Sequence, residues 1–557
     1  MNNIQSRKKK SPVDPLVTIT IVLVMASLLI FTVIPLIKIF IQSLTAVDGT
    51  VSLAAYAGAF TSRENMRALI NSLFLGTVCG ALSTVIGFLF AYCGSYVKMR
   101  GKKVFNLIAM LPIISPPFAV ALSIILLFGS RGLITYTLLG LRNVNIYGFP
   151  GLIFAQTLSY FPIAYLLLNG VLDSIDPSIE EAARNMGASR WHTFRSVTLP
   201  LVMPGVANSF LLVFIKSVAD FGNPITIGGN FPTLATQIYF QAIGNYNIQG
   251  GAAVAILLLL ISMSLYALSK LWVEKKTFVT ITGKASRERV LIDEPHIAGP
   301  LVFCCMFFAF IVIGLYILIP IVSFIKLWGI DFSLTLEHYK YAFAVGMDGL
   351  RDSTILALWA TPITGILAMV IAYLVVRRKF AGKRAMEFAA MLGMTVPGTV
   401  MGIGYVLTFN TRPLILTGTG LIIVLSYVFR YLPVGVRSGV TSLKQIDPSI
   451  EEAASDLGAS AFKVFTTITL PLIKTAFFGG LVYTFVKSMT SVSAVIFLVS
   501  ARYKLLTISV LDQVESGKFG VASAMSTMLI VVVYIVIAIL YKLIGMLGVN
   551  KKDIKLT

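Results

Sequence analysis

Charged residues are scarce in this 557-residue chain: Asp, Glu, Lys and Arg together make up 12%, against 57% hydrophobic residues. A soluble protein of this length carries about twice that charged fraction. With a mean hydropathy of +0.87, the chain has too few polar side chains to cover a surface that faces water. We therefore expect the lipid bilayer to be the solvent for most of it.

Side chains that bind metals or catalyse reactions are also few. The four cysteines and three histidines do not occur at the spacing of a metal site, and the cysteines all fall in apolar stretches. No glycine-rich phosphate loop ending in Lys-Ser or Lys-Thr is found, so this chain should not hydrolyse ATP alone. We predict no catalytic residues and no metal ligands, which argues against a membrane enzyme.

Twelve apolar segments are long enough to cross a bilayer, because about 20 helical residues span its hydrocarbon core. The predicted fold class is therefore an all-α integral membrane protein of about 12 transmembrane helices. The segments are roughly 16–44, 69–97, 104–129, 150–172, 203–222, 252–271, 299–326, 353–376, 386–409, 419–441, 474–499 and 522–547.

The placement of Lys and Arg predicts the orientation, since cytoplasmic loops are enriched in both. With the N-terminus inside, roughly 29 basic residues lie in inside segments, against roughly 10 outside. The inside segments include Arg7 to Lys10 and the tail with Lys551 and Lys552. Both termini are thus expected in the cytoplasm. The net charge of +21 is then a topology signal and does not indicate nucleic-acid binding.

A segment of 25 residues occurs twice, at 176–200 and 447–471, with 15 identical positions. Fainter matches surround it, among them Pro116 with Pro397. Six spans in each half make the repeat parallel, because an even number returns the chain to the same side.

Three regions follow from this repeat. We assign 1–270 to a first half, 271–298 to a polar, basic cytoplasmic linker and 299–557 to a second half. Such a chain most simply places a pathway along the pseudo-twofold axis.

Each repeated segment reads as a short helix followed by a break. Asp176 can cap the helix, and Pro177 suits its first position. Gly187 is expected to end it, and a second short amphipathic piece follows. The second copy repeats these devices with Asp447, Pro448 and Gly458.

These segments resemble the coupling loop of ABC-importer permeases, in which Glu-Ala-Ala is followed by a spaced Gly, Ile and Leu-Pro. The second copy fits throughout, whereas the first has Val197 in place of the Ile. The matching residues are Glu181, Ala182, Ala183, Gly187, Leu199 and Pro200 in the first copy, and Glu452, Ala453, Ala454, Gly458, Leu470 and Pro471 in the second.

The resemblance implies the type I ABC importer permease fold and its partners. Each loop would dock on one subunit of a separate cytoplasmic ATPase dimer, which uses ATP and Mg, while this chain binds no cofactor. A separate substrate-binding protein would deliver cargo from outside the bacterial cytoplasmic membrane. Alternating access would then carry the cargo inward.

The fused arrangement, together with the segments 219–224 and 234–239, is most similar to ferric-iron importers. Phosphonate, sugar phosphate and thiamine are the alternative cargoes. A major-facilitator-type secondary transporter is a remote alternative. It would need membrane-embedded carboxylates, and Asp220 is the one candidate.

Five residues inside the spans are candidates for lining the pathway: Lys216, Asp220, Arg430, Lys487 and Ser491. An ionisable group inside a span costs about 2.5–3.5 kcal/mol on insertion scales, so it usually faces a cavity or a partner. Asp220 lies one turn beyond Lys216, close enough to pair with it, and Ser491 takes its place in the second copy. The basic groups suit an anion or an anion-bound metal. Helix packing with snorkelling remains the alternative.

Overall fold

The computed structural model describes residues 15–46, 48–99, 101–142, 144–273 and 289–546. Three predicted features lie outside these residues: the basic N-terminal run, the basic tail and most of the linker 271–298.

In the first half, the helices are α1 (Pro15–Leu28), α2 (Ile34–Ser43), α3 (Ala54–Thr61), α4 (Arg63–Tyr96), α5 (Lys102–Ile114), α6 (Pro117–Phe128), α7 (Phe149–Ser174), α8 (Pro177–Asn185), α9 (Arg190–Thr193), α10 (Leu199–Val218), α11 (Gly222–Ile227), α12 (Leu234–Tyr239) and α13 (Ile248–Leu268). Short π-helical turns occur at Leu29–Val33, Leu133–Leu138, Phe194–Thr198, Phe240–Gly244 and Ser269–Val273.

In the second half, the elements are α14 (Pro295–Val322), β1 (Ile325–Leu327), β2 (Asp331–Leu334), α15 (Glu337–Arg377), α16 (Lys383–Thr395), α17 (Gly398–Phe409), α18 (Gly420–Lys444), α19 (Ser449–Asp456), α20 (Ala461–Val464), α21 (Leu470–Leu472), α22 (Lys474–Met489), α23 (Leu506–Glu515) and α24 (Phe519–Met546). A π-helical turn occurs at Phe465–Thr469 and a 3₁₀ turn at Val495–Phe497, and β1 pairs antiparallel with β2.

The described residues contain 10 helices that are long and apolar enough to cross a membrane, or up to 12 if two bent helix pairs each count as one span. One bent pair is α16 with α17, at 115°, and the other is Ala461–Leu472 with α22, at 78°. The predicted all-α membrane fold is therefore confirmed.

Two predicted spans are interrupted at matching prolines. The segment 104–129 is divided between α5 and α6, and 386–409 between α16 and α17. Ser115 and Val396 are extended, as expected for residues that precede Pro116 and Pro397. A continuous span was the wrong expectation at both places, because proline removes a helical N–H and disfavours α geometry just before it.

Two other predicted spans end early. In the segment 203–222 the helix ends at Val218, and in the segment 474–499 it ends at Met489. Beyond Met489 the chain contains Thr490, Ser491 and Ser493, whose side chains compete for backbone hydrogen bonds and weaken a helix. These ends place short non-helical stretches inside otherwise apolar segments.

Small residues let the helices of each half approach closely. A Cβ on Gly87 of α4 would lie 2.7 Å from the Ala164 Cβ of α7. At the corresponding contact, a Cβ on Gly435 of α18 would lie 2.7 Å from the Ala368 Cβ of α15. Glycine and alanine have exchanged sides between the two halves. Close approach of this kind is how helices associate where lipid removes the hydrophobic driving force.

The first helix of each half packs on the other half. Val24, Leu28 and Ile39 belong to a buried cluster made mostly of second-half residues, and the Tyr405 hydroxyl donates to the Phe31 carbonyl at 2.8 Å. In the other direction, α14 is buried against the first half, where Ser123 donates to the Leu315 carbonyl at 2.7 Å. The two halves are therefore joined by exchanged helices as well as by the linker.

Candidate functional site

The two repeated segments form matching pairs of short helices beside the membrane-spanning helices. Asp176 caps α8 by accepting the Ser178 N–H at 3.0 Å, and Asp447 accepts the Ser449 N–H at 2.9 Å. Hydrogen bonds from Ser449 hold the pKa of Asp447 below its usual value. Both predicted aspartates thus lie at helix starts, as local sequence alone indicates.

Gly187 and Gly458 end the first short helix of each pair. Their φ angles are +89° and +85°, in the left-handed region that favours glycine. Gly187 N donates to the Arg184 carbonyl at 2.9 Å, and Gly458 N donates to the Ser455 carbonyl at 3.0 Å. These turns set the angle between the two helices of each pair.

Three apolar side chains of each pair are exposed at corresponding positions of the repeat. Met186 is 82% exposed and Leu457 is 90% exposed. The complete sets are Ile179, Met186 and Trp191 in the first pair, and Ile450, Leu457 and Phe462 in the second. Exposed groups of this kind contact either lipid or another protein.

The other predicted residues of the loops differ in exposure. Glu452 and Ala453 are exposed, whereas Ala183 is buried and Glu181 is half-buried. Leu199 and Leu470 are half-buried, and Pro200 and Pro471 are exposed where each loop enters the next helix. The predicted set therefore lies partly on the free face and partly on the face that contacts the spans.

The glutamate that precedes each Glu-Ala-Ala sequence anchors the loop. Glu180 and Glu451 are buried, and they accept hydrogen bonds from Thr198 at 2.6 Å and Thr469 at 3.0 Å. Neither glutamate nor threonine was predicted as a site residue, although the repeat keeps all four identities. An arginine pairs with each glutamate, Arg289 in the first half and Arg377 in the second.

The three predicted cations of the spans, Lys216, Arg430 and Lys487, are all half-buried. Lys487 donates to the Ile113 carbonyl at 3.0 Å, beside the break between α5 and α6. Within the part of the chain that the structure describes, no carboxylate lies within 4.0 Å of any of the three.

Arg430 lies against the second broken span. It donates to Ser493 Oγ at 3.0 Å, and a Cβ on Gly398 would overlap the guanidinium group. A side chain where α17 begins would therefore force the Arg430 guanidinium group and Ser493 Oγ to move. Gly398 and Ser493 were not predicted, since their contact depends on how the break folds.

The expected pair of Lys216 with Asp220 does not form. Asp220 instead accepts hydrogen bonds from Gln156 at 3.0 Å, Asn223 at 2.8 Å and the Gly222 N–H at 3.1 Å. The spacing was interpreted as one helical turn, but α10 ends at Val218, so it does not apply to Asp220. Ser491 is buried at the corresponding point of the second half.

Comparison with known families and proteins gives consistent results. Residues 83–278 and 362–546 match the family described as binding-protein-dependent transport system inner membrane component. The ferric transport system permease protein FbpB of Actinobacillus pleuropneumoniae is 39% identical over 500 residues, which cover 88% of this chain and 73% of that protein.

Two further curated relatives show the range of the similarity. The putative ferric transport system permease protein FbpB 1 of Haemophilus influenzae is 37% identical over 505 residues, covering 89% of this chain and 80% of that protein. The molybdenum transport system permease protein ModB of Escherichia coli is 29% identical over 206 residues, covering 37% of this chain and 90% of that protein.

Among solved structures, a chain of a bacterial alginate ABC transporter in complex with an alginate-bound periplasmic protein matches at 18% identity with a TM-score of 0.42. It covers 48% of this chain and 96% of that one.

Proposed function

The chain belongs to the family of binding-protein-dependent transport system inner membrane components, and from that premise we propose that it moves ferric iron into the bacterial cytoplasm. It is a multi-pass inner-membrane permease of an ABC importer, with two family segments fused in one polypeptide. The observation that carries the proposed cargo is the 39% identity, over 88% of the chain, to a permease named for ferric transport.

We propose that each helix pair docks on one of the two ATPase subunits. The exposed sets around Met186 and Leu457 would enter a groove of the partner, since large apolar groups are buried at the centre of most interfaces. Glu181 and Glu452 would meet basic groups there, and the neighbouring alanines would permit close approach. Gly187 and Gly458 would fix the angle at which both helices of each pair meet the partner.

ATP and Mg act in this proposal at the partner ATPase. Closure of the ATPase dimer would move both loops, which continue through Leu199-Pro200 and Leu470-Pro471 into α10 and α22. The halves would then alternate between outward-open and inward-open states. In this proposal the loops and both termini lie in the cytoplasm, and a substrate-binding protein acts on the opposite side of the membrane.

The proposed pathway has a basic lining of Lys216, Arg430 and Lys487, with Asp220 and Ser491 nearby. A bare ferric ion would be repelled by three positive charges in a medium of low dielectric constant. An accompanying anion would lower the net positive charge of the cargo and so weaken that repulsion. We therefore propose that ferric iron crosses together with an anion.

Uptake of radioactive ferric iron into proteoliposomes tests the cargo directly. The full chain is reconstituted with its ATPase and with a binding protein encoded beside it, and ATP is supplied on the cytoplasmic face. Uptake that requires ATP and the binding protein is the expected result. A complex that hydrolyses ATP in response to another loaded cargo, and takes up no iron, would refute ferric iron as the substrate.

A further inference from the structure

The two docking loops are anchored by the same buried glutamate, but the arginine that pairs with it comes from different parts of the chain. In the second half, Arg377 is the last residue of α15, and its Nε lies 3.0 Å from Glu451 Oε2. Arg377 Nη2 also donates to the Ile446 carbonyl at 2.9 Å. The long helix α15 therefore holds the loop directly.

The first half lacks an arginine at the corresponding helix end. The repeat that aligns Pro116 with Pro397 places Tyr96 opposite Arg377, and Tyr96 is likewise the last residue of its helix, α4. The Tyr96 hydroxyl donates to Glu180 Oε1 at 2.7 Å, but a phenol brings no positive charge.

Arg289, from the connection between the halves, supplies the missing charge. Its Nε lies 3.7 Å from Glu180 Oε2, and its Nη2 donates to the Ile175 carbonyl at 3.0 Å. Ile175 corresponds to Ile446 in the repeat, so both guanidinium groups join the same glutamate to the same carbonyl. The Arg289 guanidinium also lies over the Tyr96 ring, 4.0 Å from its centroid. This cation–π contact is a further attraction that holds Arg289 beside Glu180, although Arg289 does not come from the helix end.

Residues 289–294, which we call the strap, hold Arg289 in place. The Ile292 N–H donates to the Tyr96 carbonyl at 2.8 Å, and the Lys98 N–H donates to the Ile292 carbonyl at 3.0 Å. Glu294 pairs with Arg190 of α9 at 2.6 Å. The strap therefore contacts both short helices of the first pair, through Glu180 on α8 and through Arg190 on α9.

We propose that Arg289 is a positioning residue for transport, and that the connection between the halves is thereby part of the coupling machinery of the first half. The inference rests on the proposed docking role of the loops. Because a buried carboxylate without its cation is strongly unfavourable, loss of Arg289 releases α8 from the spans. Movement of the ATPase then reaches α10 poorly.

The test measures cargo transported per ATP hydrolysed, in the full reconstituted complex, for Arg289→Ala and for Tyr96→Arg combined with Arg289→Ala. The single variant is expected to lose at least tenfold in this ratio while keeping ATP hydrolysis. The double variant recovers most of it, because position 96 then supplies the arginine from the helix end, as position 377 does. Lys98→Ala, which removes only an exposed contact of the strap, is the matched control and stays near wild type.

Two results would overturn the proposal: a normal ratio in Arg289→Ala, or no recovery in the double variant. If Arg289→Ala does not accumulate in the membrane, Arg289→Gln and Tyr96→Arg with Arg289→Gln are compared instead. Because glutamine is polar but brings no positive charge, an Arg289→Gln protein equal to wild type then overturns the proposal. ATPase binding by Met186→Ser and Leu457→Ser separates this inference from the docking role, since unchanged binding there refutes docking itself, and wild-type transport of another cargo refutes only ferric iron.

Discussion

Alanine at Gly458 should weaken ATPase binding through backbone strain alone. A Cβ at this position has no atom within 4 Å, so no clash contributes, but a φ of +85° is unfavourable for alanine. The cost of a left-handed conformation is about 1–2 kcal/mol, which corresponds to a factor of about 5–30 in an equilibrium constant. The free loop of the variant relaxes out of the strained conformation and must return to it on docking, so binding weakens by up to the same factor.

The assay is equilibrium binding of the purified ATPase to the chain in lipid nanodiscs. Gly187 has a φ of +89° and the same open surroundings, so Gly187→Ala should weaken ATPase binding by a similar factor. The variant with alanine at both Gly187 and Gly458 should show roughly the product of the two losses in affinity. Asparagine at Gly458 should cost less than alanine, because it tolerates left-handed geometry better.

Gly170→Ala is the control, since it adds a Cβ in open space within the regular helix α7. Binding by Gly458→Ala within twofold of wild type, or weaker binding by asparagine than by alanine, would refute the reasoning.

Three further predictions concern the same surfaces. Met186→Ser and Leu457→Ser should each weaken ATPase binding about tenfold or more, as truncation of a central apolar group does, with unchanged thermal stability; a stability loss without a binding loss would contradict a docking role. Lys216→Met and Lys487→Met should lower uptake while ATPase binding, measured in parallel, stays normal; unchanged uptake would favour helix packing. The stabilisation from the hydrogen bond that Asp447 accepts from the Ser449 N–H should be fully present above the unfolded pKa of Asp447, near 3.8, and be lost as the pH falls through its lowered folded pKa. Amide exchange of 449–456, corrected for intrinsic rates, should show this loss in the wild type and not in Asp447→Asn.

Features that depend on local sequence could be predicted well. Apolar length gave the membrane helices, and the pattern around Asp176 and Gly187 gave a capped helix with a glycine end. Each needs only a few neighbouring residues, so the surrounding fold cannot change it much.

Features that depend on where a helix stops were predicted less well. The pairing of Lys216 with Asp220 assumed one continuous helix, whereas the helix ends at Val218. In the same way, apolar composition did not indicate the breaks before Pro116 and Pro397. Their match in the repeat was the available signal, because a proline kept at the same place in two spans has a structural role.

The anchoring of the loops was beyond prediction from sequence. Glu180 occupies the first turn of α8 beside Glu181, and composition alone cannot decide which of the two faces the spans. Its partner Arg289 lies 109 positions further along the chain, in a segment whose polar sequence indicates only a linker. Contacts of this kind depend on the assembled halves.

The exchanged first helices impose an order on assembly. The span Pro15–Ser43 is synthesised first and is the least buried of the candidate spans, yet it packs on residues such as Tyr405. At about 5–20 residues per second, its partner helix emerges roughly 20–70 seconds later. For that time the span has only its own half to pack on, chiefly α13, and lipid covers the rest of its apolar surface. A ribosome that stalls between the halves would therefore leave in the membrane a first half whose first helix is packed on one side only, a state that quality-control proteases could recognise.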